Sequence, residues 1–388
     1  MSESVKKTDE YNGFEQGPIR PPSEAHSLLI RVSRNCPWNK CKFCPVYKTR
    51  KFSLRSPDHV KKDIDAVHRH LSALQAMSDG SGRISRDDID TYSGRLQSEE
   101  RQAFMAALNW YAAGMESVFL QDANSLIVKP RDLIGILWHL RERFPWIVRI
   151  TSYARSRTVA RIDDADLKEF AKAGLNRIHI GMESGSDEVL RMVRKGTSKA
   201  SQIKAGQKVV GAGIELSEYI MPGLGGKELS RTHALETADA LNQINPDFIR
   251  IRTLAIPQSI PLYEDYAAGR FEKLNDYEAV EELLLLLENL EGIQSRVRSD
   301  HILNLFQELE GRLPDDKEIM IETLRTFLNM PAKQRMLYQV GRRLGMFGRL
   351  SDLDDAGLLA KVAQTCQQYG ITPENADEVI NDLMQRFI

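Results

Sequence analysis

Apolar and polar positions alternate along this chain in blocks of strand length and helix length. The short apolar run 27–32 reads as a first strand. Ser56, Pro57 and Asp58 then form a helix start, with a capping serine, a first-turn proline and an early acid, and that helix runs to about residue 77. A polar break at 79–83 and a helical stretch from about 98 to 113 predict a helical insertion over about 79–115. From there the period is regular. Strands are expected at 117–120, 147–151, 177–180, 214–221 and 248–253, with helical stretches at 130–143, 164–173, 187–194, 199–212 and 232–243 between them. Starts about 30 to 37 residues apart are the size of a βα repeat, and right-handed crossovers wind such repeats into a parallel sheet. The spacing alone fits a six-stranded partial barrel, an eight-stranded barrel or an open doubly wound sheet.

Beyond residue 254 the pattern turns helical. The run 277–290 contains Leu283 to Leu287 unbroken, too apolar to face water all round, and predicts a helix packed on the sheet domain. Later helices are expected to start at Pro314-Asp315, at Ser351–Asp354 and at Thr372-Pro373. The expected division is a flexible segment 1–25, a sheet domain 26–274 and a helical C-terminal domain 275–388.

Composition narrows the classes. With 53 basic and 54 acidic side chains, charge balance gives no global case for attraction to nucleic acid or membrane. Lys333, Arg335, Arg342, Arg343 and Arg349, interleaved with Tyr338 and Phe347, could form a basic helical face for RNA or phosphate, but with near-neutral net charge they read as a solvated helix face. No apolar run reaches the roughly 20 residues that span a bilayer, and residues 1–16 lack a signal-peptide core, so a cytoplasmic, non-membrane protein is expected. Four cysteines in 388 residues are no disulfide framework.

Three of those cysteines, Cys36, Cys41 and Cys44, fall within nine residues, directly after the first strand. Thiolate is the ligand of zinc and of iron–sulfur clusters. A structural zinc site closes with four protein ligands, and His26 or His59 is near enough in sequence to supply one. The alternative is a four-iron cluster on three cysteines, which leaves one iron open to a ligand that is not protein. The remaining Cys366 is far away, so a second cluster is excluded. Strand ends elsewhere carry polar or glycine-rich residues, where α/β barrels place function.

The cysteine loop, with Phe43 before its last cysteine, resembles that of the radical S-adenosylmethionine (radical SAM) superfamily, in the branch of Elp3-like and oxygen-independent coproporphyrinogen oxidase-like proteins. The resemblance extends to Gly181-Met182-Glu183-Ser184-Gly185-Ser186 and to Lys195-Gly196. Here four residues separate the first two cysteines, where the superfamily usually has three. The resemblance implies a partial (β/α)6 TIM-like barrel, a [4Fe-4S] cluster on Cys36, Cys41 and Cys44, and S-adenosylmethionine chelating the open iron. It further implies that Asp122 and Asn124 meet the methionine amine, that Arg155 or Arg149 pairs with its carboxylate, and that Glu183 and Ser184 contact methionine or ribose. Phe43 and Tyr47 would flank the cluster on the adenine side, while Ser152, Gly223 and Arg252 complete the cofactor-binding set at the strand ends. An external one-electron donor of ferredoxin or flavodoxin type is implied as partner, and the substrate is unidentified. Two other readings compete: a zinc-stabilised binding or regulatory protein, and an assembly factor that binds the cofactors without turnover. His233 and His301 have no ligand-spaced partners and read as structural.

Overall fold

A computed structural model describes residues 10–385 of the chain. The strands of the main sheet are β1 (Leu28–Arg31), β2 (Ser117–Gln121), β3 (Arg149–Ala154), β4 (Leu175–Glu183), β5 (Glu215–Ile220), β6 (Phe248–Ile251), β7 (Arg296–Arg298) and β8 (Gly311–Arg312), and the short segments Ser33–Arg34 and Ser53–Leu54 pair antiparallel in a separate two-stranded sheet. They follow one another across the sheet in chain order. A doubly wound sheet reverses its order at a switch point, and this one does not. The class is therefore α/β with singly wound strands, as the barrel resemblance implies. Pairing is parallel wherever the register is defined between β1 and β7, and β8 runs antiparallel to β7.

All six expected strands form, and β7 and β8 add two that the pattern did not predict within the segment expected to be helical. Their sequences, Arg-Val-Arg and Gly-Arg, are too short and too charged to show a period of two. Among the described residues no helix is long and apolar enough to cross a membrane.

The chain forms two compact units. The first holds the described residues up to Asn39, Val46–His179 and Gly211–Ile214, and the second holds Lys40–Pro45, Ile180–Val210 and the described chain from Glu215 onward.

In the first unit, helix Pro57–Met77 packs against β1. That helix turns Val60, Ile64, Val67, Leu71 and Leu74 inward at helical spacing. Asp63 sits on the same face, fully buried, and is kept there by an ion pair with Arg55 at 2.6 Å and by the Tyr11 hydroxyl, which donates at 3.0 Å. Residues 1–9 of the segment expected to be flexible lie outside the described residues. The described part is anchored: Phe14 is buried, and Glu15 pairs with Arg31, Arg34 and Arg55 at 2.7–3.1 Å.

In the second unit, helix Asp276–Glu288 starts in a capping box made by Asn275 and Glu278 and buries Val280, Leu283, Leu286 and Leu287. Helix Ala332–Arg343 corrects the expectation of a solvated basic face. Arg343 is almost fully buried, donating to the Leu303 carbonyl at 2.6 Å and pairing with Asp276 at 2.9 Å, while Arg342 donates to the carbonyls of Leu305, Phe347 and Asn304. These guanidiniums satisfy loop carbonyls that have no ladder partner, and their alkyl stems lie along apolar surface.

Replacing Asp63 by Ala removes one half of a buried pair and leaves Arg55 short of a counter-charge. Equilibrium unfolding in urea should show a loss of about 3 kcal/mol; a loss below about 1 kcal/mol would mean that Glu15 alone compensates Arg55.

Candidate functional site

The cysteine loop leaves β1 through residues that tolerate left-handed backbone. Asn35 and Asn39 have φ of 66° and 45°, the region that asparagine occupies more readily than most side chains, and they turn the chain on either side of Cys36. The Asn39 amide donates to Cys36 Sγ at 3.4 Å. None of the four cysteines is in a disulfide; Cys36, Cys41 and Cys44 are partly exposed and Cys366 is buried, with its thiol pushed up by that burial. Among the described residues no three His, Cys, Asp or Glu side chains are gathered around a single-ion position. The donor chemistry of the loop, three reduced and accessible thiols, fits an iron–sulfur cluster.

In the first unit, Asp122 follows β2 and is fully buried. Its Oδ2 is paired with Arg31 at 2.8 Å and accepts from the Asn35 amide at 3.2 Å, while Oδ1 accepts from the Tyr47 hydroxyl. Burial and the neighbouring carboxylate push the Tyr47 phenol up, so it stays a donor. Both Asp122 oxygens are thus engaged by the residues that open and close the cysteine loop. The Asn124 amide donates to Thr158 Oγ1 at 2.9 Å and its carbonyl accepts from the Arg155 amide at 2.9 Å. Ser152 is buried and donates to the Tyr153 carbonyl. The Arg155 guanidinium lies 5.2 Å from the Trp38 ring centre, a cation–π distance. Arg149 pairs with buried Glu24 at 3.5 Å.

In the second unit, Cys41 and Cys44 pack with Phe43 against an apolar cluster that includes Val193, Met221, Leu254 and Leu262. The segment is pinned by backbone bonds, Lys42 to the Val193 carbonyl at 2.9 Å and Leu262 to the Lys42 carbonyl at 3.0 Å, and by the Lys42–Asp265 ion pair at 2.6 Å. Glu183 ends β4 with φ of 63°, a left-handed conformation costly for a glutamate and therefore informative. Its Oε1 pairs with Lys195 at 3.0 Å, and its Oε2 is buried without a hydrogen-bond partner. Gly181 lies close beneath it, so that a Cβ there would displace the Glu183 carboxylate from its present place. The Lys195 ammonium also lies 5.4 Å from the Phe43 ring centre, tying the cysteine segment to the β4 turn. Gly223 turns with φ of 86° after β5, and Arg252 is exposed after β6.

Two residues of this region lie outside the sequence expectations. Lys195 stood in the quoted motif without a role. Glu218 on β5 is wholly buried, and neither of its oxygens has a hydrogen-bond partner. Burial holds its carboxyl well above the usual carboxylate range, against the nearby Lys195 charge, and so favours the neutral acid.

Residues 92–237 match the family model described as the Radical SAM superfamily. It is 26% identical over 119 residues to a tRNA uridine(34) acetyltransferase of Methanocaldococcus infernus, covering 30% of this chain and 22% of that protein. It is also 26% identical over 234 residues to 4'-phospho-dehydrooxetanocin synthase of Priestia megaterium, covering 55% of this chain and 26% of that protein. The chain thus spans about a quarter of the length of these curated relatives. Among solved structures, coproporphyrinogen III oxidase (HemN) of Escherichia coli aligns with a TM-score of 0.44 at 13% identity, covering 68% of this chain and 52% of that one. The family match begins after the cysteine loop.

Accessibility separates the thiols. In metal-free, reduced protein, brief alkylation followed by peptide mass spectrometry should modify Cys36, Cys41 and Cys44 at least about tenfold faster than Cys366, whose thiol is buried and held protonated. Equal rates at all four would show that the packing around Cys366 opens readily.

Proposed function

We propose that the chain is a radical SAM enzyme in which Cys36, Cys41 and Cys44 hold a [4Fe-4S] cluster and the open iron takes S-adenosylmethionine. The observation that carries this reading is the set of three accessible cysteines, none in a disulfide, in one loop after β1, in a chain whose residues 92–237 match the Radical SAM family model. Held by those three cysteines, the cluster would supply the one-electron reductive chemistry toward S-adenosylmethionine that hydrogen abstraction from a substrate requires.

The chain's own residues position and exclude. Asp122 fixes both ends of the cysteine loop through Asn35 and Tyr47, so its part is to hold the ligand-bearing segment; its oxygens are already occupied. Glu183 has an oxygen left over: with Oε1 held by Lys195, the unpartnered Oε2 is placed to accept from a hydroxyl or amine of the cofactor. Arg155 lies over the Trp38 ring beside the cysteine loop, and a guanidinium there suits a carboxylate. Phe43 belongs to the apolar cluster against which Cys41 and Cys44 pack, and so fixes an aromatic ring between the two cysteines. The electron comes from an acidic donor of ferredoxin or flavodoxin type. The substrate class is not assigned by these residues.

Anaerobic reconstitution with iron and sulfide should give about four irons per chain, a brown protein and reductant-dependent release of 5'-deoxyadenosine. Cys41→Ala should lose most of the iron and at least about a hundredfold in deoxyadenosine release, the scale expected when a ligand of the essential centre is removed. A colourless protein with one zinc per chain would establish the zinc-stabilised alternative instead. Retained cofactor binding with no turnover on reduction would establish the assembly-factor alternative.

A further inference from the structure

His233 was expected to be a structural histidine, and Glu282 lies in the most apolar helix of the chain. A carboxylate buried among leucines is costly unless its lone pairs are filled. Those of Glu282 are filled: Oε1 accepts from the Gly223 amide at 2.7 Å and Oε2 from the Ser230 hydroxyl at 2.6 Å, and Oε1 faces His233 Nε2 at 3.6 Å. His233 and Glu282 are both almost fully buried.

The imidazole continues the chain of contacts. Its Nε2 is 3.1 Å from the Met221 carbonyl, which can only accept, so Nε2 carries a hydrogen. Its Nδ1 is 2.8 Å from Ser184 Oγ and in the neutral ring accepts the serine hydrogen. Ser184 Oγ in turn accepts from the Ser186 amide at 3.0 Å. One helical turn beyond His233, Thr237 Oγ1 accepts from the Gly185 amide at 2.9 Å. Gly185 comes so close to helix Gly226–Ile244 that a Cβ would collide with the Glu236 carbonyl.

The order serine, histidine, carboxylate is that of a hydrolytic triad, but the setting is not. Ser184 is completely buried, and its only hydrogen is committed to His233. A nucleophile needs access to a carbonyl carbon, and this hydroxyl has none. What the relay does is join two loops, the Ser184–Ser186 turn after β4 and the Gly223 turn after β5, to one side chain on helix Asp276–Glu288.

We propose that His233 and Glu282 are positioning residues for S-adenosylmethionine. They set the spacing and amide directions of the β4 and β5 turns against each other, so that Glu183 and the Gly223 backbone meet the cofactor in register. This rests on the radical SAM reading, since the two turns matter together only if one ligand touches both. It also makes helix Asp276–Glu288, outside the residues that match the family model, part of the cofactor site's support.

The test uses the full-length, anaerobically reconstituted chain and Glu282→Gln, which keeps the shape and loses the charge. Equilibrium dialysis with radiolabelled S-adenosylmethionine should show Kd raised about tenfold, or about 1.4 kcal/mol. Iron per chain should be unchanged, and deoxyadenosine release should show KM raised with kcat within about twofold. Deuterium exchange in peptides covering 183–186 and 221–226 should speed up. Ser230→Ala removes one of the two bonds to the carboxylate at little risk to folding and should give an intermediate Kd. Faster exchange in both loops with Kd unchanged in either variant would show a merely structural clamp and overturn the proposal. A wild-type chain that takes no cluster and binds no S-adenosylmethionine would overturn it by removing its premise. That failure is distinguished by the wild-type dialysis itself, before any variant is compared.

Discussion

The buried carboxylate of Asp122 is the constraint on which the cysteine loop depends. A charge with no exposure to water must be compensated on the spot, or its desolvation outweighs the packing around it. The compensation comes from Arg31, and Arg31 is within reach because the parallel register sets it opposite Gln121, the residue before Asp122. A one-residue slip between β1 and β2 would turn the guanidinium to the other face. Register thus fixes the ion pair, and the ion pair fixes the loop. With its second oxygen and remaining lone pair Asp122 takes the Tyr47 hydroxyl and the Asn35 amide, one at each end of the segment that carries the cysteines. The N-terminal strap closes over it so tightly at Gly17 that a Cβ there would stand 2.6 Å from Oδ1.

The β4 turn is governed by a different economy of charge. Glu183 adopts a left-handed backbone and keeps one oxygen unpartnered, two costs that packing alone does not justify. Lys195 offsets part of the charge and in the same position faces the Phe43 ring, so one ammonium serves the carboxylate and the aromatic residue between Cys41 and Cys44. Glu218, wholly buried on the next strand, is held toward its neutral form, which spares this group a second full negative charge. The arrangement keeps one accepting oxygen available at the strand end, the feature a ligand with hydroxyl or amine donors requires.

How far the chain could be read in advance follows from which properties are local. Six strands were visible because apolar runs recur with helices between them, and the three cysteines because they are adjacent in sequence. Their strand ends could be named, but not what each side chain faces. Asp122 and Asn124 were expected to offer free acceptors, yet both are consumed by protein donors, which only the tertiary fold brings to them. Arg342 and Arg343 looked like a solvated face because their spacing is that of any surface helix; the carbonyls they satisfy belong to a loop about 40 residues earlier. Glu282 was invisible for the opposite reason. Its neighbours are so apolar that the helix reads as plain core, and the Gly223 amide and Ser230 hydroxyl that explain why a carboxylate is kept there come from other elements.

The fourth cysteine clarifies the other three. Cys366 sits on helix Ala356–Gln368 at 3% exposure, where burial favours the protonated thiol, a poor nucleophile and a poor ligand. The loop cysteines are each partly exposed, and the chain between Glu24 and Asp58 contains no carboxylate. The cations of that stretch are answered from outside it, Arg31 by Asp122, Arg55 by Asp63 and Lys42 by Asp265, so the pairs that hold the loop's surroundings place no acidic side chain inside the loop itself. What sets the three loop cysteines apart from Cys366 is therefore accessibility together with adjacency in sequence.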